Sequence, residues 1–355
     1  MVEQDVQPTA FTGLETKLEI DIMKIAVLGA GSWGTTLAIL LARHADSILM
    51  WEFRPEAVKN MKRDRENLEF LAGFPFPSNL NVTDDINEAV ADADFCLSVV
   101  PSHAVRSTAG LIKDSIPGDC RIVSASKGIE QESLMRISEV FADVLGDRFV
   151  LGNFTCLSGP SHAEEVSKGL PTTVVAASNK IETARKVQEL FSGESFRVYS
   201  TDDLIGVELG GSLKNVIAIA AGIAAGLKFG DNTTGALLTR GLAEISRLGE
   251  VMGGRASTFA GLSGMGDLVT TCCSLHSRNR YVGEQLGKGR KLEEILDEMH
   301  MVAEGVRTTA SAWALAQRMN IVMPITNQIH RILFENADPR EATVELMTRS
   351  LKIED

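Results

Sequence analysis

Residues 24–34 read KIAVLGAGSWG, in which an apolar, β-branched run leads directly into the pattern G-x-G-x-x-G. The run predicts a buried strand, and the residues that follow predict a helix that begins inside the glycine pattern. In this setting the glycines allow a tight turn and a close approach of the backbone to a pyrophosphate, while the helix N-terminus supplies N–H donors. The stretch therefore predicts a dinucleotide-binding turn, rather than a turn that needs glycine for backbone reasons alone.

Outward from this turn, strand-like runs alternate with amphipathic stretches as far as about Tyr199, which predicts a doubly wound parallel sheet with right-handed crossovers. The predicted strands are 24–29, 47–52, 80–83, 94–101, 120–126, 149–152, 172–178 and 196–200. After about Asp202 helical spacing takes over, in 203–227, 234–252, 280–286, 292–299, 306–319 and 325–334. We therefore expect an α/β protein with an N-terminal Rossmann-type domain over 23–202 and an all-helical C-terminal domain over 203–355.

The composition limits the classes of partner. The formal net charge is −12 and no run of Lys and Arg stands out, whereas nucleic-acid-binding proteins usually present a basic face. The longest apolar run, 216–227, is shorter than the roughly 18 to 20 residues of a membrane span. The five cysteines form no C-x-x-C pair and no zinc-binding pattern, which favours a reducing compartment and predicts no metal. We expect a protein that inserts in no membrane and binds no nucleic acid.

Residues 1–22 lack the basic and apolar regions of a secretory signal. They also show no strand or helix period. We therefore expect a disordered extension, whose deletion leaves activity and melting temperature nearly unchanged.

Charged residues follow two of the predicted strands, at the sheet edge where a doubly wound fold binds its ligand. At the end of the second strand, Glu52 would favour NAD by binding the ribose 2′-hydroxyl, whereas Arg54 could accommodate the 2′-phosphate of NADP. Each of the two could equally be a solvated surface charge. After the fifth strand, Lys127 is placed to bind a substrate phosphate or oxyanion, or is an exposed loop lysine.

The stretch LSGPSHAEE (157–165) predicts a Gly-Pro turn followed by a helix N-terminus. Ser161 and Glu164 have the spacing of a capping box, which would leave backbone N–H groups aimed at the ligand crevice. His162 has no visible partner in the sequence, and we predict a surface histidine beside the cap.

Three polar groups interrupt the apolar helical half. Lys214 lies in the glycine-rich stretch ELGGSLKNV, where burial would lower its pKa toward the range of proton transfer, unless the side chain extends to solvent. The paired glycines before it predict a close neighbour. Asp267 and Thr271, four residues apart, would share a helix face. The triplet SRN (277–279) suits a phosphate and its neighbouring hydroxyls, or supplies helix caps and surface charge.

Taken in order, the motifs GAGSWGT, WEFR, SASKGI, LSGPSHAEE, ELGGSLKN, GLSGMGDLVTTC and SRNR resemble those of the bacterial NAD(P)-dependent sn-glycerol-3-phosphate dehydrogenases. The resemblance covers the chain from Met23 to about Arg349. It implies an enzyme that reduces glycerone phosphate to sn-glycerol 3-phosphate with NAD or NADP as cofactor. It further implies a cytoplasmic homodimer that supplies glycerol 3-phosphate for glycerophospholipid synthesis.

The resemblance also implies roles for individual residues. Lys214 is implied as the proton-transfer group, supported by Asn215 and Thr271. The implied substrate-binding residues are Lys127, Gly159, Ser161, Lys214, Asn215, Asp267, Thr271, Ser277, Arg278 and Asn279. The implied cofactor-binding residues are Gly29, Gly31, Ser32, Trp33, Gly34, Arg54, Lys127, Ala163, Arg278, Val302 and Glu304.

One departure from the family pattern bears on cofactor choice. Many relatives carry two cationic residues after the tryptophan of the second strand, whereas here Phe53 precedes the single Arg54. This argues against a strong preference for NADP. Two rival interpretations are another two-domain β-hydroxyacid-type dehydrogenase, which should lack the SGPSHAEE and SRNR stretches, and a non-catalytic cofactor sensor, which would rarely keep Lys214, Asp267 and Arg278 together.

Overall fold

The computed structural model describes residues 23–299, 302–351 and 353–354, so the extension expected over 1–22 lies outside the described residues. Within these ranges eight strands form a single sheet. The strands are β1 (Lys24–Leu28), β2 (Ser47–Trp51), β3 (Leu80–Thr83), β4 (Phe95–Ser98), β5 (Arg121–Ser124), β6 (Phe154–Ser158), β7 (Thr172–Ala177) and β8 (Phe196–Thr201). Their order across the sheet is β3-β2-β1-β4-β5-β6-β7-β8.

The order of the sheet reverses at β1, which pairs with β2 on one side and with β4 on the other. Leu28 at the end of β1 is in register with both Trp51 and Ser98, so all three strands end at one edge. In doubly wound sheets this switch point is where ligands bind. The predicted fold class, a Rossmann-type sheet followed by helices, is confirmed.

The helices of the sheet region are short. They are α1 (Ser32–Leu41), α2 (Pro55–Asp64), α3 (Ile86–Val90), α4 (Val105–Ile112), α5 (Ile137–Leu145), α6 (Ala163–Ser167) and α7 (Ile181–Phe191). The later helices are α8 (Leu204–Gly226), α9 (Gly230–Val251), α10 (Ala256–Phe259), α11 (Asp267–Cys273), α12 (Arg278–Gly287), α13 (Leu292–Asp297), α14 (Glu304–Arg318), α15 (Pro324–Phe334) and α16 (Pro339–Met347). A single π turn, Leu262–Gly266, leads into α11.

Two details of the predicted sheet are wrong. The strand predicted over 149–152 is absent from the described structure, because Val150 is 46% exposed and the chain there forms a 3₁₀ turn, while the fully buried residues Phe154–Ser158 form β6. The sheet is also not entirely parallel, since β7 runs antiparallel to β6. The connection between these two strands contains only the five-residue helix α6, whereas a parallel crossover usually carries a longer helix.

Helix α8 is the centre of the helical half and packs against α9, α11, α12 and α14. Glycine lets it approach α12 closely: a Cβ on Gly222 would lie 2.0 Å from the carbonyl oxygen of Arg280, and one on Gly283 would lie 2.0 Å from that of Ile219. Of the described helices, α8 alone is long and apolar enough to cross a membrane, and 94% of its apolar stretch is buried inside the protein. This burial accounts for its apolar composition.

The first turns of α8 are tied to the start of α5 by a buried carboxylate. Glu208 accepts hydrogen bonds from the backbone N–H of Ser138 at 2.7 Å and from its hydroxyl at 2.8 Å, and it pairs with the guanidinium of Arg136 at 2.5 Å. Burial raises the pKa of Glu208, and Arg136 opposes that rise. Because α8 is fixed to α5 in this way, the residues one to two turns further along α8 face the sheet edge.

Candidate active site

The glycine turn joins β1 to α1 at the switch point. Gly29 adopts a φ of +107°, and its N–H donates to the carbonyl of Trp51 at 3.1 Å, while a Cβ on Gly34 would lie 1.9 Å from the carbonyl oxygen of Gly29. By contrast, a Cβ placed on Gly31 would have nothing within 4 Å apart from Gly31 itself and its two chain neighbours. The fold itself therefore requires glycine at 29 and 34, whereas Gly31 opens onto free space that a pyrophosphate would fit.

Ser32 and Trp33 form the first turn of α1, directly after Gly31. Ala163, predicted to touch the cofactor, is the first residue of α6, which packs against α1. These residues therefore stand around the same end of α1 as the glycine turn. The N-terminus of this ten-residue helix supplies backbone N–H groups that suit an anion.

Sequence reasoning missed a residue that supports the glycine turn. Asn67 is only 2% exposed, and its side-chain amide donates to the carbonyl of Ala30 at 2.7 Å and to the hydroxyl of Thr35 at 2.8 Å. It thus fastens the loop after α2 to the dinucleotide turn. No local signal in the sequence separates this asparagine from a solvent-exposed loop residue.

The centre of the candidate active site is a carboxylate shared by two ammonium groups. Lys214 of α8 is 6% exposed, and its Nζ donates to Asp267 Oδ1 at 2.5 Å and to Thr271 Oγ1 at 2.6 Å. Lys127, three residues after β5, donates from Nζ to Asp267 Oδ2 at 2.6 Å and to the carbonyl of Gly159 at 3.3 Å. Asp267 and Thr271 both lie on α11, so the predicted shared helix face is present.

Burial dominates the electrostatics of this cluster. It lowers the pKa of Lys214 to about 8, with Asp267 opposing the shift and Lys127 adding to it. Burial acts in the opposite direction on Asp267, but the positive charges of Lys127 and Lys214 outweigh it and hold the pKa of this carboxyl below its usual range. Near neutral pH the cluster therefore carries two positive charges and one negative charge, and Lys214 can lose its proton at mildly alkaline pH.

Close backbone contacts explain how these three segments meet. A Cβ on Gly210 would lie 2.7 Å from the carbonyl oxygen of Ser263 in the π turn, and one on Gly211 would lie 2.5 Å from the hydroxyl oxygen of Ser158 at the end of β6. The paired glycines of α8 thus admit the close neighbours that the sequence predicted. This contact brings the π turn and the start of α11 against α8, one turn before Lys214.

Two residues of the triplet 277–279 make hydrogen bonds within the protein instead of being free to bind a phosphate. The hydroxyl of Ser277 caps α12 by accepting the backbone N–H of Arg280 at 3.2 Å, and Asn279 accepts the backbone N–H of Gly305 at 2.9 Å. Arg278 is exposed, and one guanidinium nitrogen donates to the carbonyl of Val302 at 2.9 Å. Of the three, Arg278 has the side chain that is most available to an anion.

The predicted capping box at Ser161 is wrong. Helix α6 begins one residue later than predicted, with His162 as its N-cap, and the hydroxyl of Ser161 donates instead to the carbonyl of Gly159 at 3.0 Å. Gly159, with a φ of +142°, turns that carbonyl toward both Ser161 and Lys127. The local spacing matched a capping box, but the tight Gly-Pro turn places the serine outside the helix.

His162 stands at the cap of α6, as predicted, but its side chain is half-buried rather than fully at the surface. Its ring centroid lies 5.8 Å from that of His276, and its buried Nε2 finds no hydrogen-bond partner in the described part of the chain. Burial lowers the pKa of His162, and the nearby charge of Lys214 lowers it further. The histidine is therefore neutral near pH 7 and faces the region of Lys214.

The two late residues predicted to touch the cofactor lie on either side of the start of α14. Glu304 accepts the backbone N–H of Ser102, just after β4, at 2.8 Å, and burial raises its pKa. Val302 contributes the carbonyl that binds Arg278. Asn215, the remaining predicted residue, is buried on α8 beside Lys214. Across the ranges that the structure describes, no group of three or more His, Cys, Asp or Glu could hold a metal ion.

Comparisons with known proteins agree across nearly the whole chain. Two family models match, the NAD-dependent glycerol-3-phosphate dehydrogenase N-terminus over residues 24–184 and the NAD-dependent glycerol-3-phosphate dehydrogenase C-terminus over 203–344. A glycerol-3-phosphate dehydrogenase [NAD(P)+] of Chlorobium phaeobacteroides is 52% identical, over 94% of this chain and 99% of that protein. One of Pelotomaculum thermopropionicum is 52% identical, over 92% and 93%. The crystal structure of glycerol-3-phosphate dehydrogenase from Coxiella burnetii superposes with a TM-score of 0.87 at 42% identity, covering 92% of this chain and 99% of that one.

Proposed function

The chain belongs to the NAD-dependent glycerol-3-phosphate dehydrogenase family, and on that premise we propose that Lys214 is the group that moves the proton in its reaction. The reaction interconverts glycerone phosphate and sn-glycerol 3-phosphate, with NAD or NADP as cofactor. When bound, the reduced nicotinamide supplies the hydride that adds to C2. In that direction the C2 oxygen gains negative charge, and the Lys214 ammonium stabilises the charge and donates the proton. In the oxidative direction neutral Lys214 accepts the proton from the C2 hydroxyl.

The observation that carries this proposal is the buried pairing of Lys214 with Asp267 and Thr271. A general acid works best when its pKa lies near the operating pH, and burial brings the pKa of Lys214 to about 8. The neighbouring carboxylate keeps the ammonium charged below that pH, and the hydroxyl of Thr271 fixes its direction. Preorganised charge of this kind stabilises a developing oxyanion without reorganisation of the site.

We place the substrate between the Lys127–Lys214 cluster and Arg278. Arg278 can bind a phosphate through two parallel N–H groups, and its side chain is exposed rather than buried in the fold. The side-chain cap by Ser277 and the hydrogen bond from Gly305 to Asn279 support Arg278 by fixing the start of α12. The proposed substrate-binding residues remain Lys127, Gly159, Ser161, Lys214, Asn215, Asp267, Thr271, Ser277, Arg278 and Asn279.

We place the dinucleotide across the glycine turn and the neighbouring strand ends. Gly31 supports this placement because it opens onto free space beside the N-terminus of α1. The proposed cofactor-binding residues remain Gly29, Gly31, Ser32, Trp33, Gly34, Arg54, Lys127, Ala163, Arg278, Val302 and Glu304.

Family membership also supports a wider role for the protein. We infer that it supplies glycerol 3-phosphate for glycerophospholipid synthesis in the cytoplasm and acts as a homodimer. We further propose a division into a dinucleotide-binding domain over 23–202 and a helical substrate domain over 203–355, because the last strand ends at Thr201 and α8 begins at Leu204. Light scattering on the purified protein tests the dimer, since a monomeric mass would contradict it.

The experiment that tests the proposal replaces Lys214 by Met, which keeps the length of the side chain and removes the ammonium. General acid-base groups contribute about 10²- to 10⁴-fold, so we expect turnover of glycerone phosphate to fall by at least about 100-fold. The affinity for NADH should stay within a few-fold of that of the parent, because Lys214 is not one of the residues that we assign to the cofactor. Lys186→Met, on the exposed face of α7, is the matched control. Turnover of Lys214→Met close to that of the parent would return Lys214 to a structural role.

A further inference from the structure

A charged cluster at the end of β2 occupies the position that reads the ribose of a bound dinucleotide. Because Gly29 donates to the carbonyl of Trp51, the residue that follows Trp51 stands beside the glycine turn. That residue is Glu52, which is 5% exposed. In doubly wound folds an acid at this place binds the ribose 2′-hydroxyl, which NAD has and NADP lacks.

Arg54 does not stand free at this position. Its Nε donates to Glu52 Oε1 at 2.8 Å, and its Nη1 donates to Glu69 Oε1 at 2.8 Å. The guanidinium also lies over the rings of Phe53 and Phe70, at 5.7 and 5.4 Å from their centroids. The hydrogen bonds that Arg54 donates to Glu69 and to Glu52 raise the pKa of Arg54, the bond to Glu69 having the larger effect. One permanent cation is therefore matched by two carboxylates, and the cluster carries a net negative charge.

Hydrogen bonds to Asn67 fix the main chain around Glu69. Asn67, whose amide is fastened to Ala30 and Thr35, accepts the backbone N–H of Phe70 at 3.2 Å through its side chain and that of Leu71 at 2.8 Å through its carbonyl. Glu69 lies inside this small turn. The loop that carries Glu69 is thus anchored to the dinucleotide turn itself, so the contact with Arg54 is part of the cofactor crevice.

We propose that Glu69 is a specificity-determining residue. It keeps the Arg54 guanidinium from pairing with the 2′-phosphate of NADPH, and so makes the enzyme prefer NADH to NADPH. The inference deepens the proposed function and rests on the placement of the dinucleotide beside Arg54. A 2′-phosphate would place a charge of about −2 next to two carboxylates, and it would have to compete with Glu69 and Glu52 for the guanidinium of Arg54. A free 2′-hydroxyl meets no such repulsion and can donate to Glu52. NADPH is still accepted, because the side chain of Glu69 is 52% exposed and can swing away.

The test compares the dissociation constants of NADH and NADPH, measured by fluorescence titration, in the parent and in Glu69→Gln. Exposed ion pairs contribute at most about 1 kcal/mol, which corresponds to about fivefold. We therefore expect Glu69→Gln to tighten NADPH by about that factor relative to NADH, with NADH itself little changed. Glu56→Gln removes a carboxylate from the exposed start of α2, where it faces Lys59, and is the control for a general loss of negative charge.

A second arm assigns the gain to Arg54. In the double variant Arg54→Ala/Glu69→Gln the gain in NADPH affinity should disappear, because no freed guanidinium remains. The proposal is overturned if the parent binds NADPH at least as tightly as NADH, if Glu69→Gln leaves the ratio unchanged, or if Glu56→Gln changes it equally. Parallel assays with glycerone phosphate separate the two claims, since a protein that binds NADH selectively but reduces no substrate would refute the proposed function and leave the role of Glu69 standing.

Discussion

Replacement of Asp267 by Asn tests how the buried cluster sets the pKa of its lysine. Asp267 accepts from Lys214 at 2.5 Å and from Lys127 at 2.6 Å, so the amide keeps the shape of the carboxylate but removes the charge that both ammonium groups share. Burial and the charge of Lys127 already lower the pKa of Lys214 to about 8, and Asp267 is the group that opposes them. Without it, the pKa of Lys214 must fall further.

The expected size of the change follows from the distances. An opposite charge within about 4 to 6 Å shifts a pKa by about 1 to 3 units, and here the charge is in direct contact. We therefore expect the pKa of Lys214 to move from about 8 to about 5 to 7 in Asp267→Asn. Reduction requires the ammonium form, so activity in this direction falls above the pKa and is retained below it. At pH 8, Lys214 should be protonated in only about a tenth to a thousandth of the variant molecules, compared with about half of the parent molecules.

The assay is kcat/KM for glycerone phosphate across the neutral and alkaline range, followed by oxidation of NADH at saturating cofactor. The phosphate of the substrate ionises near pH 6 and sets the acidic limb in both proteins, so the alkaline limb is the one to compare. Thr271→Val is the matched control, because it removes a hydrogen bond to Lys214 at 2.6 Å without a change of charge. An alkaline limb that stays in place in Asp267→Asn, or that moves equally in Thr271→Val, would refute the assignment of the pKa to this charge pair.

Two further outcomes follow from the described contacts. Glycerone phosphate should drive oxidation of NADH, while unphosphorylated dihydroxyacetone hardly does. Arg278→Ala should reduce this difference in rate, chiefly by raising the KM for glycerone phosphate. Equal rates with both substrates in the parent would exclude phosphate recognition by Arg278. Gly222→Ala places a Cβ 2.0 Å from the carbonyl oxygen of Arg280 and should lower the free energy of unfolding by about 1 to 3 kcal/mol in urea denaturation. Gly235→Ala on α9, where no described atom lies within 4 Å of the added Cβ, should be neutral or stabilising, and equal losses in both glycine variants would count against the packing argument.

Sequence patterns were sufficient wherever one segment determines its own structure. The glycine turn after β1 was predictable because strand, turn and helix are adjacent in the chain, and α8 was predictable because its apolar period and its glycines are local features. The shared face of Asp267 and Thr271 follows from helical spacing alone. In each of these cases the physical cause lies within one continuous segment of the chain.

The errors occur where the structure depends on contacts between distant segments. The apolar run 149–152 matched a strand, but the sheet is completed by Phe154–Ser158, which has more to bury between β5 and β7. The reversal of β7 goes with the short connection before it, which holds only the five-residue helix α6, and is not visible in the residues of β7 itself. Asn67 looks like an ordinary loop residue until the fold brings it to Ala30 and Thr35. The same holds for Glu69, whose partner Arg54 is fifteen positions earlier in the chain.

The charge of the active site can be reconciled with the acidity of the whole protein. The chain carries a formal net charge of −12, yet the phosphate of the proposed substrate itself has a charge of about −2. Lys127 and Lys214 share the single carboxylate of Asp267, which leaves this cluster with one net positive charge, and Arg278 adds a second. The local sum thus matches the dianion without a basic surface. Charges interact more strongly where they are shielded from water, as at the buried Lys127–Lys214–Asp267 cluster. A few cationic side chains are therefore sufficient here, whereas a nucleic-acid-binding protein would need a basic face.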